Sequence, residues 1–307
     1  MNQTTADADS DIFARLATAS PKLSRKMAQL GTFISQHHVS VAFMSARQLA
    51  SAAGVSLATV VRFAGILGYR GYDELRAGIQ DRVNIDLTAV ERWRTLPINS
   101  RSSSGLLRRI INADIEAFHG LVRDFSEPQF EKFVRAVLDA RRVTIFGFRY
   151  VAPLTTYFVY SLSKVRANVR GFTRGDSSLY DRVRLMDDGD VVVAIVFARY
   201  PRDVVELIRY AHAQGRRILT ITDSPLSPIL PLADVALVAK AVNLDFVGSL
   251  AAPAALINCL VSTIGARLGG KALRRLQMLE DAAATADIYV HAGSPREAAR
   301  RRYASTR

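Results

Sequence analysis

The sequence predicts two domains: an all-α N-terminal domain with a helix-turn-helix, and a C-terminal α/β domain with a doubly wound parallel sheet. Apolar residues recur at helical spacing through residues 11–84. From residue 142 onward, short apolar runs alternate with helical segments, as in β–α–β units. Between the two patterns, residues 91–104 are polar and contain Pro97 and a run of serines, which is typical of a linker.

The composition limits the classes of partner and site. Lys and Arg number 41 against 28 Asp and Glu, and this net charge of +13 favours nucleic acid or anionic ligands. Most of the excess lies after residue 100, so charge alone does not identify DNA as the partner. The single cysteine, Cys259, excludes a disulfide framework and a cysteine metal cluster and predicts a cytoplasmic protein. We expect no cofactor and no metal.

The N-terminus begins with polar residues, and we expect no signal peptide there. Residues 248–266 carry no charge, but Pro253 and Asn258 interrupt them and alanine dominates. A membrane span needs about 20 predominantly apolar residues, so this stretch predicts a buried helix and no membrane association.

The chain is expected to divide into five segments. Residues 1–10 form a disordered tail, 11–90 the helix-turn-helix domain, 91–104 the linker, 105–270 the α/β domain and 271–307 a basic extension. Within the α/β domain we predict strands at 143–146, 169–172, 191–196, 218–222 and 235–238. Helices are expected between them, including one at 227–232.

The helix-turn-helix is predicted from residues 45–69. Gly54 can take the left-handed conformation that a tight helix exit needs, and Ser56 can cap the next helix. The second helix places apolar side chains on one face and short side chains plus Arg62 on the other. An outward face of this kind suits a major groove. The residues expected at DNA are Ser56, Ala58, Thr59 and Arg62 at the bases and Arg70 at the backbone. An ordinary helical hairpin is the alternative.

This layout resembles the RpiR family of bacterial transcription regulators, whose C-terminal half is a sugar isomerase (SIS) domain that binds phosphosugars. The resemblance covers residues 11–268 and is carried by 45–64, 67–75, 213–228 and 232–238. It implies a sequence-specific regulator that binds double-stranded operator DNA. It also implies a SIS-like domain that forms a homodimer or homotetramer and binds a carbohydrate derivative or another small anionic metabolite.

The strand-end loops depart from the family pattern. SIS phosphate sites usually carry Gly-x-Gly-x-Ser after the first strand, but residues 147–151 lack the second Gly and the Ser. The usual Ser-x-Ser-Gly-x-Thr after the third strand is replaced by Arg and aromatic side chains at 197–202, while the Asp223-Ser224 turn is retained.

Two interpretations of these changes are open. In the first, the domain binds a small anion that is not a standard phosphosugar, since Arg pairs with carboxylate or phosphate and aromatic rings stack on a ligand body. The effector-binding residues would then be Arg149, Tyr150, Phe197, Arg199, Arg202 and Ser224. In the second, the site has lost its ligand, and these side chains fill it or form a subunit interface.

A sugar-phosphate isomerase is the alternative from another class, because SIS domains also occur in such enzymes. Proton transfer between sugar carbons needs a Glu or His beside the ligand. Among the strand-end loops only Asp176 and Asp223 supply carboxylates, and no histidine is predicted there. We therefore predict no catalytic residues and no enzyme. An architectural DNA binder without a working pocket is the third possibility.

Overall fold

The computed structural model describes residues 12–42, 44–86, 88, 90, 102–242 and 248–290. The N-terminal region consists of α1 (Ile12–Ala19), α2 (Arg25–Val41), α3 (Ala46–Ala52), α4 (Leu57–Ile66) and α5 (Tyr72–Asp86). Their apolar faces share one core, in which Leu30, Leu49 and Phe63 are fully buried. The core forms because each helix carries one apolar stripe and cannot bury it alone.

Helices α3 and α4 form the predicted helix-turn-helix, with an angle of 105° between them. Ser45 begins α3 with a capping box, since its side chain and that of Gln48 each bond to the other's backbone N–H. Gly54 has a φ of +66°, which places it in the left-handed region that favours glycine. The Ser56 side chain caps α4 as predicted.

The C-terminal region contains a five-stranded parallel sheet in the order β2-β1-β3-β4-β5. The strands are β1 (Val143–Phe146), β2 (Val169–Phe172), β3 (Val191–Val196), β4 (Arg217–Thr222) and β5 (Val235–Val238). The helices are α6 (Ser103–Arg123), α7 (Glu127–Asp139), α8 (Ala152–Val165), α9 (Ser178–Arg184), α10 (Arg202–Ala213), α11 (Ala251–Leu268) and α12 (Gly270–Thr285).

The sheet has a core on each face. Residues of α7, α8 and α11 pack on one face, and residues of α9 and α10 pack on the other. Every residue of β3 is buried, because a central parallel strand is covered on both faces. The predicted α/β doubly wound architecture is therefore confirmed.

The predicted strand bounds agree with the structure except that β4 begins one residue earlier, at Arg217. The helix predicted at 227–232 is wrong, since only a 3-10 turn forms at Leu230–Leu232. Pro228 and Pro231 explain the difference, because a proline inside a helix removes an amide donor and clashes with the preceding turn. Helix α6 begins inside the predicted linker, where the side chain of Ser102 caps it.

Helix α11 confirms the helix predicted from the uncharged stretch at 248–266. Among the described residues, it is the one unbroken helix that is long and apolar enough to cross a membrane, and 33% of it is buried in the protein. Leu256, Ile257 and Leu260 fill the core on its buried side. The extension predicted at 271–307 begins with α12, whereas its basic end at 300–303 and the tail at 1–10 lie outside the described residues.

Candidate DNA-binding surface and effector site

The two hydroxyl groups predicted at DNA are engaged at the start of α4. The Ser56 Oγ accepts a hydrogen bond from the Thr59 N–H at 3.2 Å, and the two hydroxyl oxygens lie 2.8 Å apart. This pair satisfies an N–H group that would otherwise be unpaired at the helix start. Both residues therefore first serve to position α4, and each hydroxyl has only its remaining hydrogen-bonding capacity for a ligand.

The outward surface of α4 includes Leu57, Ala58, Val61 and Arg62, and we call these four residues the α4 face. All four side chains are exposed, and Val61 is 50% exposed. The Arg62 Nε donates to the carbonyl of Ala58 at 3.3 Å, which holds the arginine along the helix. Sequence reasoning missed Leu57 and placed Val61 only at the flank of this face. Their signal is the i, i+4 spacing on the side opposite the buried Phe63.

Arg70 lies just beyond α4, at the start of α5. Its backbone N–H donates to Glu74 Oε2 at 2.6 Å, and its Nε lies 3.3 Å from the same oxygen. These two hydrogen bonds, the backbone one foremost, lower the pKa of Glu74. The Arg70 side chain is 90% exposed, so its guanidinium group is accessible to a phosphate, although Glu74 already compensates part of its charge.

The carboxyl ends of β1 and β3 form the second candidate site. In an open parallel sheet, ligands bind where the strand order reverses, and here that point lies between β1 and β3. Arg149, Tyr150 and Arg199 are exposed in the loops that follow these strands, and Arg202 is exposed as the first residue of α10. Four of the predicted effector residues are thus at the surface of this edge.

The other two predicted effector residues are buried. Phe197 is 2% exposed and belongs to the core on the α7 and α8 side, and Ser224 is 8% exposed. The Ser224 Oγ accepts a hydrogen bond from the N–H of Leu226 at 3.1 Å, which shapes the turn after β4. In this conformation, Phe197 and Ser224 are packed inside the protein at the strand ends and do not lie at the surface.

Aromatic side chains occupy much of the strand-end region. Phe148 is 2% exposed, and a Cβ added at Gly175 would lie 3.2 Å from its ring, so the loop after β2 packs directly on it. Tyr200 turns inward, where its hydroxyl donates to Asp223 Oδ1 at 3.3 Å. The second oxygen, Asp223 Oδ2, accepts the N–H of Ala198 at 3.0 Å.

These contacts affect the protonation of Tyr200. Burial and, after it, the charge of Asp223 raise the pKa of Tyr200. The phenol therefore stays protonated at neutral pH and acts as a donor to the carboxylate. The Asp223 carboxylate joins the loop after β3 to the end of β4, close to where the family's hydroxyl-bearing loop is absent.

Two family models match the chain. The helix-turn-helix domain of the rpiR family matches residues 11–84, and the SIS domain matches residues 137–263. Both parts of the RpiR layout are therefore present in order. The chain belongs to the RpiR family. It is a DNA-binding transcriptional regulator with a SIS domain, the effector-sensing domain of this family.

Similar proteins support the same family. An uncharacterized HTH-type transcriptional regulator of Caldanaerobacter subterraneus subsp. tengcongensis is 21% identical over 228 residues, which span 73% of this chain and 78% of the relative. The sugar isomerase domain of an RpiR transcription factor from Sphaerobacter thermophilus is 24% identical with a TM-score of 0.55, over 57% of this chain and 98% of that one. Vibrio vulnificus NanR, solved in complex with ManNAc-6P, is 17% identical with a TM-score of 0.55. The match covers 89% of this chain and 98% of the NanR chain.

The similarity to these two structures establishes the fold of the RpiR chain, whereas the effector chemistry depends on its own strand-end side chains. Within the part of the chain that the structure describes, no group of three or more His, Cys, Asp or Glu side chains is placed to hold a metal ion.

Proposed function

We propose that this RpiR regulator reads its operator with the α4 face. The observation that carries the proposal is the geometry of α4, which crosses α3 at 105° and exposes short side chains around Arg62. A helix about 10–12 Å across fits the major groove, which is about 12 Å wide. Arg62 would pair with guanine, and Ala58 would approach base edges closely.

Three further residues complete the proposed DNA surface. The hydroxyls of Ser56 and Thr59 lie at the start of α4, where recognition helices meet the bases. Arg70 would contact a phosphate just beyond α4, which its exposure supports. Such backbone contacts set the register of the protein and add affinity that does not depend on base sequence.

We infer that the regulator is a cytoplasmic homodimer or homotetramer that pairs partly through α6. One side of α6 carries a continuous line of exposed apolar side chains: Leu107, Ile111, Ile115, Phe118 and Val122. The spacing of three or four residues keeps them on one face of the helix. Apolar stripes of this size on a surface helix are typical of protein interfaces. Pairing would present two α4 faces to half-sites one helical turn, or a multiple of it, apart.

We propose that the effector is a small anion bound at the strand ends by Arg149, Arg199 and Arg202, with Tyr150 beside it. The exposure of these residues around one edge supports this site. NanR was solved with a phosphosugar, but this chain carries Tyr200 and arginines where the hydroxyl cradle is expected. A metabolite other than a standard phosphosugar is therefore the better match, bound beside Ser224 and above Phe197. We propose no catalytic role for the site.

One observation favours a second candidate, an architectural DNA binder without an effector. Phe148 and Phe197 are each 2% exposed, and Tyr200 is fixed to Asp223, so protein side chains fill space that a ligand would otherwise take. In the regulator model, effector binding shifts the population of dimers whose half-site spacing fits the operator. The effects of DNA and effector on each other's affinity are then reciprocal.

The experiment that tests the proposal measures binding of the purified protein to labelled DNA from upstream of its own gene. Binding is followed at several salt concentrations and against scrambled competitor DNA. A preference of about tenfold, or about 1.4 kcal/mol, supports the operator-reading model. Binding that falls steeply with salt and ignores sequence supports the architectural model, because phosphate contacts alone give that behaviour.

A further inference from the structure

A cleft separate from the strand-end site lies on the sheet face that α9 covers. The register pairs Thr144 with Arg170 and Phe146 with Phe172 across β1 and β2. Paired residues on parallel strands point to the same side of the sheet, so all four side chains share this face. Together with Arg182 of α9, they line a cavity of about 190 Å³.

The cleft carries unbalanced positive charge. Its first arginine, Arg142, lies 3.4 Å from Asp190 and 3.6 Å from Asp187, so its charge is compensated. Arg170 and Arg182 form no ion pair with any residue that the structure describes, although Arg182 acts on Asp176 at longer range. An anion that enters the cleft thus meets two guanidinium groups whose hydrogen-bond donors are available.

A polar group at the bottom of the cleft lacks a protein partner. Thr144 is 6% exposed, and its hydroxyl makes no hydrogen bond within the described ranges of the chain. Its side chain lines the cleft, so the hydroxyl keeps its hydrogen-bonding capacity for a ligand bound there. The Thr144 hydroxyl is therefore a ready donor for an oxygen of a ligand bound in the cleft.

The remaining walls of the cleft are apolar and aromatic. The rings of Phe146 and Phe172 stack with centroids 5.6 Å apart, and Arg182 lies over Phe172 with its Cζ 5.2 Å from the ring centroid. Leu185 and Met186 close the side next to α9. A protein cavity of about 150 Å³ is known to hold benzene, so the 190 Å³ cleft has room for one ring and a carboxylate.

We propose that this cleft binds a small aromatic carboxylate. The carboxylate is held by Arg170 and Arg182 and accepts the hydrogen bond of Thr144, while the ring lies against the apolar wall of the cleft. A phosphate without a ring leaves the apolar wall uncovered, and a neutral ring leaves the arginines without a partner. This assignment does not depend on the strand-end effector site or on DNA binding.

Isothermal titration of the full chain with benzoate tests the proposal, with inorganic phosphate as the comparison ligand. Thr144→Val keeps the shape of the side chain and removes its donor, and Arg170→Gln removes one guanidinium. We expect each change to weaken benzoate binding by about tenfold, the factor that corresponds to about 1.4 kcal/mol. Thermal unfolding of each variant checks that it is folded.

Two arginine variants outside the cleft serve as controls. Arg217→Gln removes an exposed arginine at the start of β4, and Arg199→Gln changes the strand-end site. Arg217→Gln is expected to bind benzoate as the natural chain does, whereas Arg199→Gln reports any benzoate that binds at the strand ends. Loss of binding in Arg199→Gln with full binding in Arg170→Gln would place the ligand at the strand ends and overturn the cleft assignment. Absence of benzoate binding at millimolar concentration, or equal binding of phosphate, would also overturn it.

Discussion

Replacing Arg62 by alanine should remove base recognition by the α4 face. The side chain is exposed, and within the described residues its Nε donates a hydrogen bond to the Ala58 carbonyl at 3.3 Å. Water replaces that bond in the variant, and alanine is the best helix former, so α4 should stay folded. A bidentate arginine–guanine contact contributes about 1–3 kcal/mol, which predicts a Kd raised about 5-fold to 160-fold.

The assay is fluorescence anisotropy on DNA selected from a random pool by the natural protein, compared with a scrambled sequence. Arg62→Ala should weaken binding to the selected DNA and leave binding to the scrambled DNA nearly unchanged. Arg70→Ala is the matched control, since this arginine is also exposed but is expected at a phosphate. It should weaken binding to both DNAs and reduce the salt slope by about 1.

Two results would refute this reasoning about Arg62. Unchanged affinity of Arg62→Ala for the selected DNA would mean that the α4 face does not read bases. Equal loss on both DNAs, with a reduced salt slope, would mean that Arg62 contacts a phosphate and that sequence is read elsewhere.

Three further predictions concern stability and the effector. Phe63 is fully buried, so Phe63→Ala should lower the free energy of unfolding by about 3–5 kcal/mol in urea titration; a loss below about 1 kcal/mol would contradict the core assignment. The double change Arg199→Ala and Arg202→Ala should abolish the effector response in the DNA-binding assay and preserve binding without effector, whereas lost DNA binding would indicate a role in assembly. The hydrogen bond from Arg267 lowers the pKa of Glu131 below its ordinary 4.5. A lowered carboxyl pKa stabilises the fold above the ordinary value, and this contribution is lost as the pH falls through the lowered one. Arg267→Ala should therefore reduce the melting temperature at about pH 7 and have little effect at about pH 2, and an equal reduction at both would argue against the pair.

Local patterns in the sequence were sufficient to predict most of the helices and strands described in both domains. The runs 143–146, 169–172, 191–196 and 235–238 match β1, β2, β3 and β5. The pattern is clearest in β3, because a strand buried on both faces is apolar throughout. The turn at Gly54 and the cap at Ser56 were equally predictable, since each depends on the backbone preference of one residue. The hydrophobic spacing gave a wrong prediction at 227–232, where Pro228 and Pro231 prevent an α-helix.

The candidate DNA surface was only partly predictable. Periodicity identified Arg62 and Ala58 on the outward side of α4, but it does not show that Ser56 and Thr59 bond to each other. The same periodicity places Val61 at the flank of this outward side, but in the structure the side chain is half exposed beside Arg62. Exposure at such borders depends on which neighbouring helices cover α4, and that is a property of the folded domain.

The sequence alone determined the class of protein, because the two domains are identified by hydrophobic spacing and turn residues. Each of these features extends over only a few positions and can be read locally. The tertiary structure decided which side chains are accessible at the strand ends, where Phe197 is buried and Tyr200 turns toward Asp223. It also brought Arg170 and Arg182 into one cleft with Thr144. Strand order, register and helix packing set these distances between residues far apart in the chain, and no local pattern encodes them.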